Sequence, residues 1–183
     1  MSRGRPGAPQ SIVNPNELLS QEDILQEDWC LLELGNHLRE PITVLHWLAQ
    51  RRLIRNSLHC NQCNQPFGLN AYQDATDGYR WYCKSCKLRR SVRDDSFFAH
   101  SRLPLKQLIC YAYCWSRNMA QNDILHEARM NNASKTLAAW GVHCRDICEM
   151  GIEENPSMIN NLNKDGTPVF SAFICCVVHH YRL

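Results

Sequence analysis

Apolar positions along the chain change rhythm several times, and each change marks a predicted element. Leu18, Leu19, Ile24, Leu25, Trp29, Leu31, Leu32 and Leu38 allow one helical stripe. Ser20 ahead of Gln21, Glu22 and Asp23 predicts its N-cap with acids in the first turn, and Gly35-Asn36 supplies a stop. Pro41 opens a second helix carrying Val44, Leu45, Trp47, Leu48 and Leu53, with Arg51 and Arg52 favourable at its C-terminal end. Residues 18–56 therefore read as a helical hairpin, a packing element without chemistry of its own.

Residues 57–98 show no helical stripe. Cys, Gly, Tyr, Trp and Phe occur there in short runs between turn residues, with Asp77-Gly78 as a turn signal before a strand at Tyr79–Tyr82. Helical spacing returns at Pro104, followed by Leu105, Leu108, Ile109, Ala112, Tyr113 and Trp115. Asn118 or Asn122 can cap a shorter helix with Ile124, Leu125 and Ala128, which Asn131-Asn132 breaks. Asn132 or Ser134 then caps a third helix in which Leu137, Trp140 or Gly141, Cys144, Ile147 and Cys148 recur at three and four. Residues 1–17 lack apolar periodicity and predict a disordered leader. Residues 153–183 predict an irregular tail whose apolar run 169–178 either docks as a strand or is simply sticky.

The fold class that follows is α+β: a helical hairpin (18–56), a small antiparallel β unit (57–98), a three-helix unit (99–152) and the tail (153–183). A length of 183 residues suits one ordinary domain or two to three small ones. With 44% apolar and 21% charged residues the chain is globular, and a net charge of +2 excludes a histone-like polycation. Charge is nevertheless unevenly placed. Residues 57–104 hold seven basic and four acidic side chains, and Lys84, Lys87, Arg89, Arg90 and Arg93 follow one another with no acid among them. No apolar run approaches the roughly 18–20 residues that span a bilayer. The N-terminal stretch lacks the apolar core of a signal peptide, which points to a reducing compartment. Eleven cysteines in such a compartment ask for a metal before they ask for disulfides.

The spacing answers that request. Cys60-Asn-Gln-Cys63, nineteen intervening residues, then Cys83-Lys-Ser-Cys86 is the pattern of a four-thiolate zinc site. Each C-x2-C pair brings two thiolates to one ion from a tight turn, and about twenty residues let two hairpins face each other. A fully occupied thiolate shell leaves no position for water, so the expected Zn2+ is one structural ion. His59 reads as a bystander, and His179-His180 as no metal site. Cys110, Cys114, Cys144 and Cys148 fall at i, i+4 on apolar helix faces, where cysteine packs as a small hydrophobe.

Three helices with a brief Asn-rich turn before the last fit a helix-turn-helix-like unit. Ser134, Lys135 and Thr136, with Asn131 and Asn132, would then face DNA, while Leu137, Trp140 and Ile147 face inward. Arg80, Lys84, Lys87, Arg89, Arg90 and Arg93, interleaved with Tyr79, Trp81 and Tyr82, would present cations to a phosphate backbone.

The stretch Asp77-Gly-Tyr-Arg-Trp-Tyr-Cys-Lys-Ser-Cys, followed by Ser91-Val-Arg-Asp-Asp-Ser-Phe-Phe-Ala-His-Ser-Arg-Leu-Pro-Leu, resembles the N-terminal half of Merlin-type DNA transposases and their bacterial insertion-sequence relatives. The aromatic helix Tyr111-Ala-Tyr-Cys-Trp-Ser, the Ser-x-Thr helix start and Arg145-Asp-Ile-Cys148 extend the likeness over roughly Leu45 to Pro156. The resemblance implies that a zinc ribbon and helix-turn-helix bind the ends of a transposable element. It also implies a downstream RNase H-like domain with three acidic residues. Beyond Pro156 the chain departs from that pattern. Residues 152–183 are too few for such a domain, and Asp165 is the lone aspartate among them.

The expectation is therefore a zinc-dependent module for double-stranded DNA in a truncated transposase-derived protein. It would lack strand-transfer activity, and would be nuclear in a eukaryote and cytoplasmic otherwise. A homo-oligomer or a full-length transposase is the expected protein partner, with no membrane. The alternatives are an interaction adaptor, motivated by the aromatic and leucine content of 18–53, and a remnant without function.

Overall fold

Local sequence starts most helices where the pattern placed them. In the computed structural model, which describes residues 8–130, 134–164, 166 and 168–181 without the side chains of 134–136, 158 and 159, Ser20 caps α1 (Gln21–Leu25). Its hydroxyl accepts the Asp23 N–H at 3.1 Å, and the Asp23 carboxylate accepts the Ser20 N–H at 3.0 Å. Each group thereby satisfies a donor the first turn leaves free. The single helix expected as far as Gly35 is broken into two, α1 and α2 (Leu31–His37). The reason lies in α3 (Pro41–Gln50) and its C-cap Arg51. Glu27 grips the Arg51 guanidinium with both oxygens, and Trp29 packs edge-on against Trp47 at 5.8 Å. A continuous helix could not turn both side chains onto α3, so the chain bends at 26–30.

Residues 8–17 of the expected leader are ordered. Asn56 accepts the N–H groups of Ile12 (3.1 Å) and Val13 (2.8 Å) and donates to the Val13 carbonyl, which draws two apolar side chains into the core. Low periodicity in this segment reflected pairing to a distant asparagine rather than disorder. Residues 1–7 of the expected leader lie outside the described residues.

Three short strands follow, β1 (Gly68–Ala71), β2 (Tyr79–Tyr82) and β3 (Arg89–Ser91), antiparallel in that order. Leu69 pairs with Trp81 in register, and both are buried on the inward face. Arg80 pairs with Ser91 and Tyr82 with Arg89, so that Arg80 and Arg89 share the outward face. Next come α4 (Leu105–Ser116), α5 (Gln121–Glu127) and α6 (Ser134–Glu154). The α5 cap is Ala120, without a side-chain bond, rather than either asparagine considered. The start of α6 adjoins residues 131–133, which lie outside the described residues.

The tail is neither irregular nor a strand. After a 3-10 segment at Pro156–Asn161 the chain forms a buried helix, α7 (Phe170–Tyr181). Phe170, Ala172, Phe173, Ile174, Cys175, Cys176 and Val177 are all buried, and α7 packs against α6, α1 and α4. A Cβ built on Gly151 of α6 would lie 2.6 Å from Cys176 Sγ and 3.2 Å from its Cα, so α6 and α7 touch where glycine leaves room. One contiguous core runs from Ile12 through the helices, Trp81 of the sheet and Phe97-Phe98 to α7. Among the described residues no helix is long and apolar enough to cross a membrane.

Candidate metal centre and its cationic surroundings

The four cysteines of the spaced pairs come together. Cys60, Cys63, Cys83 and Cys86 place their sulfurs within 4.8 Å of one another, with Cys63 and Cys83 Sγ at 3.5 Å. Bonds of about 2.3 Å to one tetrahedral ion put its sulfurs roughly 3.8 Å apart. The cluster therefore fits a single metal ion, and it is the one group of three or more metal-ligating side chains among the described residues. Exposed His59 is not in it.

Both turns are built alike, although their sequences share only the cysteines. The N–H of the residue after the second cysteine donates to the carbonyl of the first: Asn64 to Cys60 at 2.8 Å, Lys87 to Cys83 at 2.9 Å. The first cysteine N–H donates five residues ahead, Cys60 to Gln65 and Cys83 to Leu88, each at 2.9 Å. Asn64 (φ 55°) and Lys87 (φ 60°) occupy the left-handed region at equivalent positions. That conformation is one asparagine tolerates and lysine resists. The Cys86 N–H points at Cys83 Sγ, 3.4 Å away, as a donor to a thiolate must.

Without an ion the four thiols share their protons unevenly. Burial would raise Cys60, but N–H groups of Gln62 and Cys63 and the neighbouring thiols outweigh it and bring Cys60 down to about 7. Hydrogen bonding to Cys63, burial and the other two sulfurs push Cys86 up to about 12. A cation removes that conflict because every sulfur can then be a thiolate.

The remaining cysteines behave differently. Cys110 and Cys114 on α4 bond to each other, as do Cys148 of α6 and Cys176 of α7. Cys144 is fully enclosed and its thiol is pushed up by burial, and burial also pushes Cys175 up to about 12. Within each bonded pair one thiol is pushed up, Cys114 and Cys148, and the other brought down by its partner's hydrogen bond, Cys110 and Cys176, so all six pack as buried thiols rather than converge on an ion.

The cations expected to form one face are sorted by the strand alternation into separate roles. Lys84 and Lys87 are exposed on the second turn, and neither has a carboxylate partner among the described residues. Arg80 and Arg89 lie over Tyr72 from the outward face, at 4.7 and 5.2 Å from its ring centre. Arg90 points to the opposite side and pairs with Asp94 at 2.8 Å while remaining half-exposed. Arg93 must be removed from the set. It is 4% exposed, its guanidinium holds both oxygens of Asp77, and it also donates to the Ser101 carbonyl at 2.9 Å. The free Asp77 lone pair receives the N–H of Leu105 at the start of α4 (3.0 Å). A charge that looked like a DNA contact is thus a buried tie between hairpin turn, the loop after β3 and the α4 N-terminus. Sequence reasoning read Asp77 only as a turn signal. No local spacing announces an ionic partner sixteen residues away.

Ser134, Lys135 and Thr136 stand at the first turn of α6, with side chains outside the described residues, as are Asn131 and Asn132. The Ser96-Phe97-Phe98 segment serves packing. Ser96 donates to the Arg93 carbonyl at 2.6 Å, and Phe97 meets Trp140 and His143 of α6 and Phe173 and Tyr181 of α7.

No family model matches the chain. The chain is similar to the male abnormal protein mab-31 of Caenorhabditis elegans, with 25% identity over 118 residues, covering 59% of this chain. It spans only 27% of that protein's length. No solved structure matches it.

Proposed function

We propose that the chain is a zinc-dependent DNA-binding module of a transposase-derived protein, with the four-cysteine cluster as a structural Zn2+ site. An all-thiolate donor set with near-tetrahedral room suits zinc, and carries no open position for catalysis. On this reading the ion fixes the two turns, and the turns fix the strands that display Arg80 and Arg89. The observation that carries the proposal is that Lys84, Lys87 and Arg89, next to the second cysteine pair in sequence, are exposed and have no carboxylate partner among the described residues. Backbone phosphates are the partner such cations suit. The motif resemblance to Merlin-type transposases supports the same reading.

Strand transfer is not part of the proposal for this chain. Two-metal chemistry needs several converging carboxylates. The described residues after Glu154 form a 3-10 segment and the apolar α7, with no extended strand to carry them.

The test is fluorescence anisotropy of zinc-loaded protein on labelled duplex DNA across a salt series. Affinity should fall steeply with salt, and Lys84→Ala, Lys87→Ala and Arg89→Ala should each lower the log–log slope by about one. Absence of salt-dependent binding by the zinc-loaded chain contradicts the reading. A second reading, an adaptor for another protein, is favoured by Leu32, an 80% exposed leucine on α2. A stoichiometric protein partner with no DNA retention would replace the first reading with this one.

A further inference from the structure

Two cavities flank the loop after β3 and share one lining residue. One is a polar groove of about 300 Å3 bordered by Arg80, Arg89, Arg90 and Ser91. The other is an apolar cleft of about 290 Å3 between this loop and α6, lined by Phe97, His100, Ala139, Trp140, His143 and Tyr181. Ser101 lines both, and its carbonyl is fixed by the buried Arg93 at 2.9 Å. The cleft is built from rings. His143 lies flat on Phe97, 4.3 Å between centroids and 3° between planes, and Trp140 stands edge-on to both. Phe97 covers one face of His143, so it is the remaining face and edge of that half-buried ring that border the cavity.

We propose that the cleft takes an unstacked nucleobase while the adjoining arginine groove holds the phosphates of the same strand, so that the preferred ligand is nucleic acid with an unpaired base. This rests on the DNA-binding reading and goes beyond it. A duplex interior offers only base edges in its grooves, because the base faces are covered by their neighbours. A cleft of aromatic rings recognises a face, which an extruded or single-stranded base alone presents. Phosphate-binding cations beside an aromatic platform is also how single strands are gripped without a sequence code. Ser101, which lines both cavities and whose carbonyl Arg93 holds, would sit where the strand passes from one to the other.

The experiment uses the full zinc-loaded chain and three labelled probes: a plain duplex, the same duplex with one unpaired nucleotide, and a single strand of the same sequence. The unpaired nucleotide should tighten binding about tenfold over the plain duplex, the scale of one base stacking on an aromatic ring. His143→Ala should abolish that gain and leave plain-duplex affinity unchanged. Because His143 also packs on Phe97, Ala139→Trp serves as a second variant: Ala139 is exposed, and a ring there fills the cleft without removing any contact. Loss of the gain in Ala139→Trp, with zinc content and thermal midpoint as in the parent, supports the proposal. Equal affinity for plain and unpaired probes overturns it and leaves the DNA-binding reading standing. Binding to none of the three probes at low salt overturns both.

Discussion

In residues 60–86 four cysteines sit at tight turns with their sulfurs converging within 4.8 Å, whereas in α4, α6 and α7 six cysteines lie along helices with their thiols buried among leucines and rings. One residue type does two jobs, and the backbone decides which. In a tight turn N–H groups point at sulfur and favour the thiolate, as those of Gln62 and Cys63 do at Cys60. Along a helix the N–H groups are spent mainly on carbonyls, so the thiols pair with each other or pack among apolar side chains. On the proposed zinc reading the sheet depends on an ion, while the helical body depends on close-packed side chains. The two halves are joined by Asp77 and Arg93, which tie the β2 turn to the start of α4.

The largest difference between the halves should appear on removing the metal. Chelation should abolish amide protection in β1–β3 and leave the central turns of α4 and α6 protected, as read by hydrogen exchange. Uniform loss of protection would mean that the halves do not differ in this way. Cutting the tie comes next. Asp77→Ala strands a buried guanidinium and should cost about 3–5 kcal/mol. That corresponds to a fall in thermal midpoint of roughly 6–20 °C. Asp77→Leu combined with Arg93→Met should recover most of the loss, because the apolar pair removes the uncompensated charge.

These two regions were not equally legible in the chain. The cysteine spacing and the caps at Ser20 and Pro41 are local, so sequence alone located them. The bend at 26–30 was hidden because Glu27 answers to Arg51, twenty-four residues on. Arg93 was misassigned for a related reason: a run of cations in sequence is divided among opposite faces and the interior once it enters a strand and its following loop. The α7 helix left no stripe to find, since residues 170–177 are buried all round and a uniformly apolar run has no period.

Smaller effects sharpen the contrast within each half. Gly151→Ala should destabilise by about 1–3 kcal/mol, because overpacking outweighs the helix propensity gained. Adding Cys176→Ala should rescue it only in part. The Cys176 Cβ, at 2.8 Å from the new methyl, and its Cα remain in the way. Thermal denaturation of the single and double variants decides this. The smallest expected change lies in the turns. Lys87→Gly relieves a left-handed lysine at a cost of about 1–2 kcal/mol, against roughly 0.5–1 kcal/mol of added chain freedom. A net gain of up to about 1.5 kcal/mol should follow, exceeding that of Asn64→Gly, since asparagine already tolerates the conformation. Equal shifts in the two variants would mean that the turns are not equivalent.

The central claim is that four particular sulfurs hold one ion. Native mass spectrometry of the purified chain, paired with a count of alkylated thiols after unfolding in metal-free buffer, tests it directly. The account predicts one zinc per chain, eleven free thiols after unfolding, and loss of the zinc in Cys83→Ser but not in Cys144→Ser. A chain that carries no metal when purified in the presence of zinc, or one that keeps its zinc in Cys83→Ser, would contradict it.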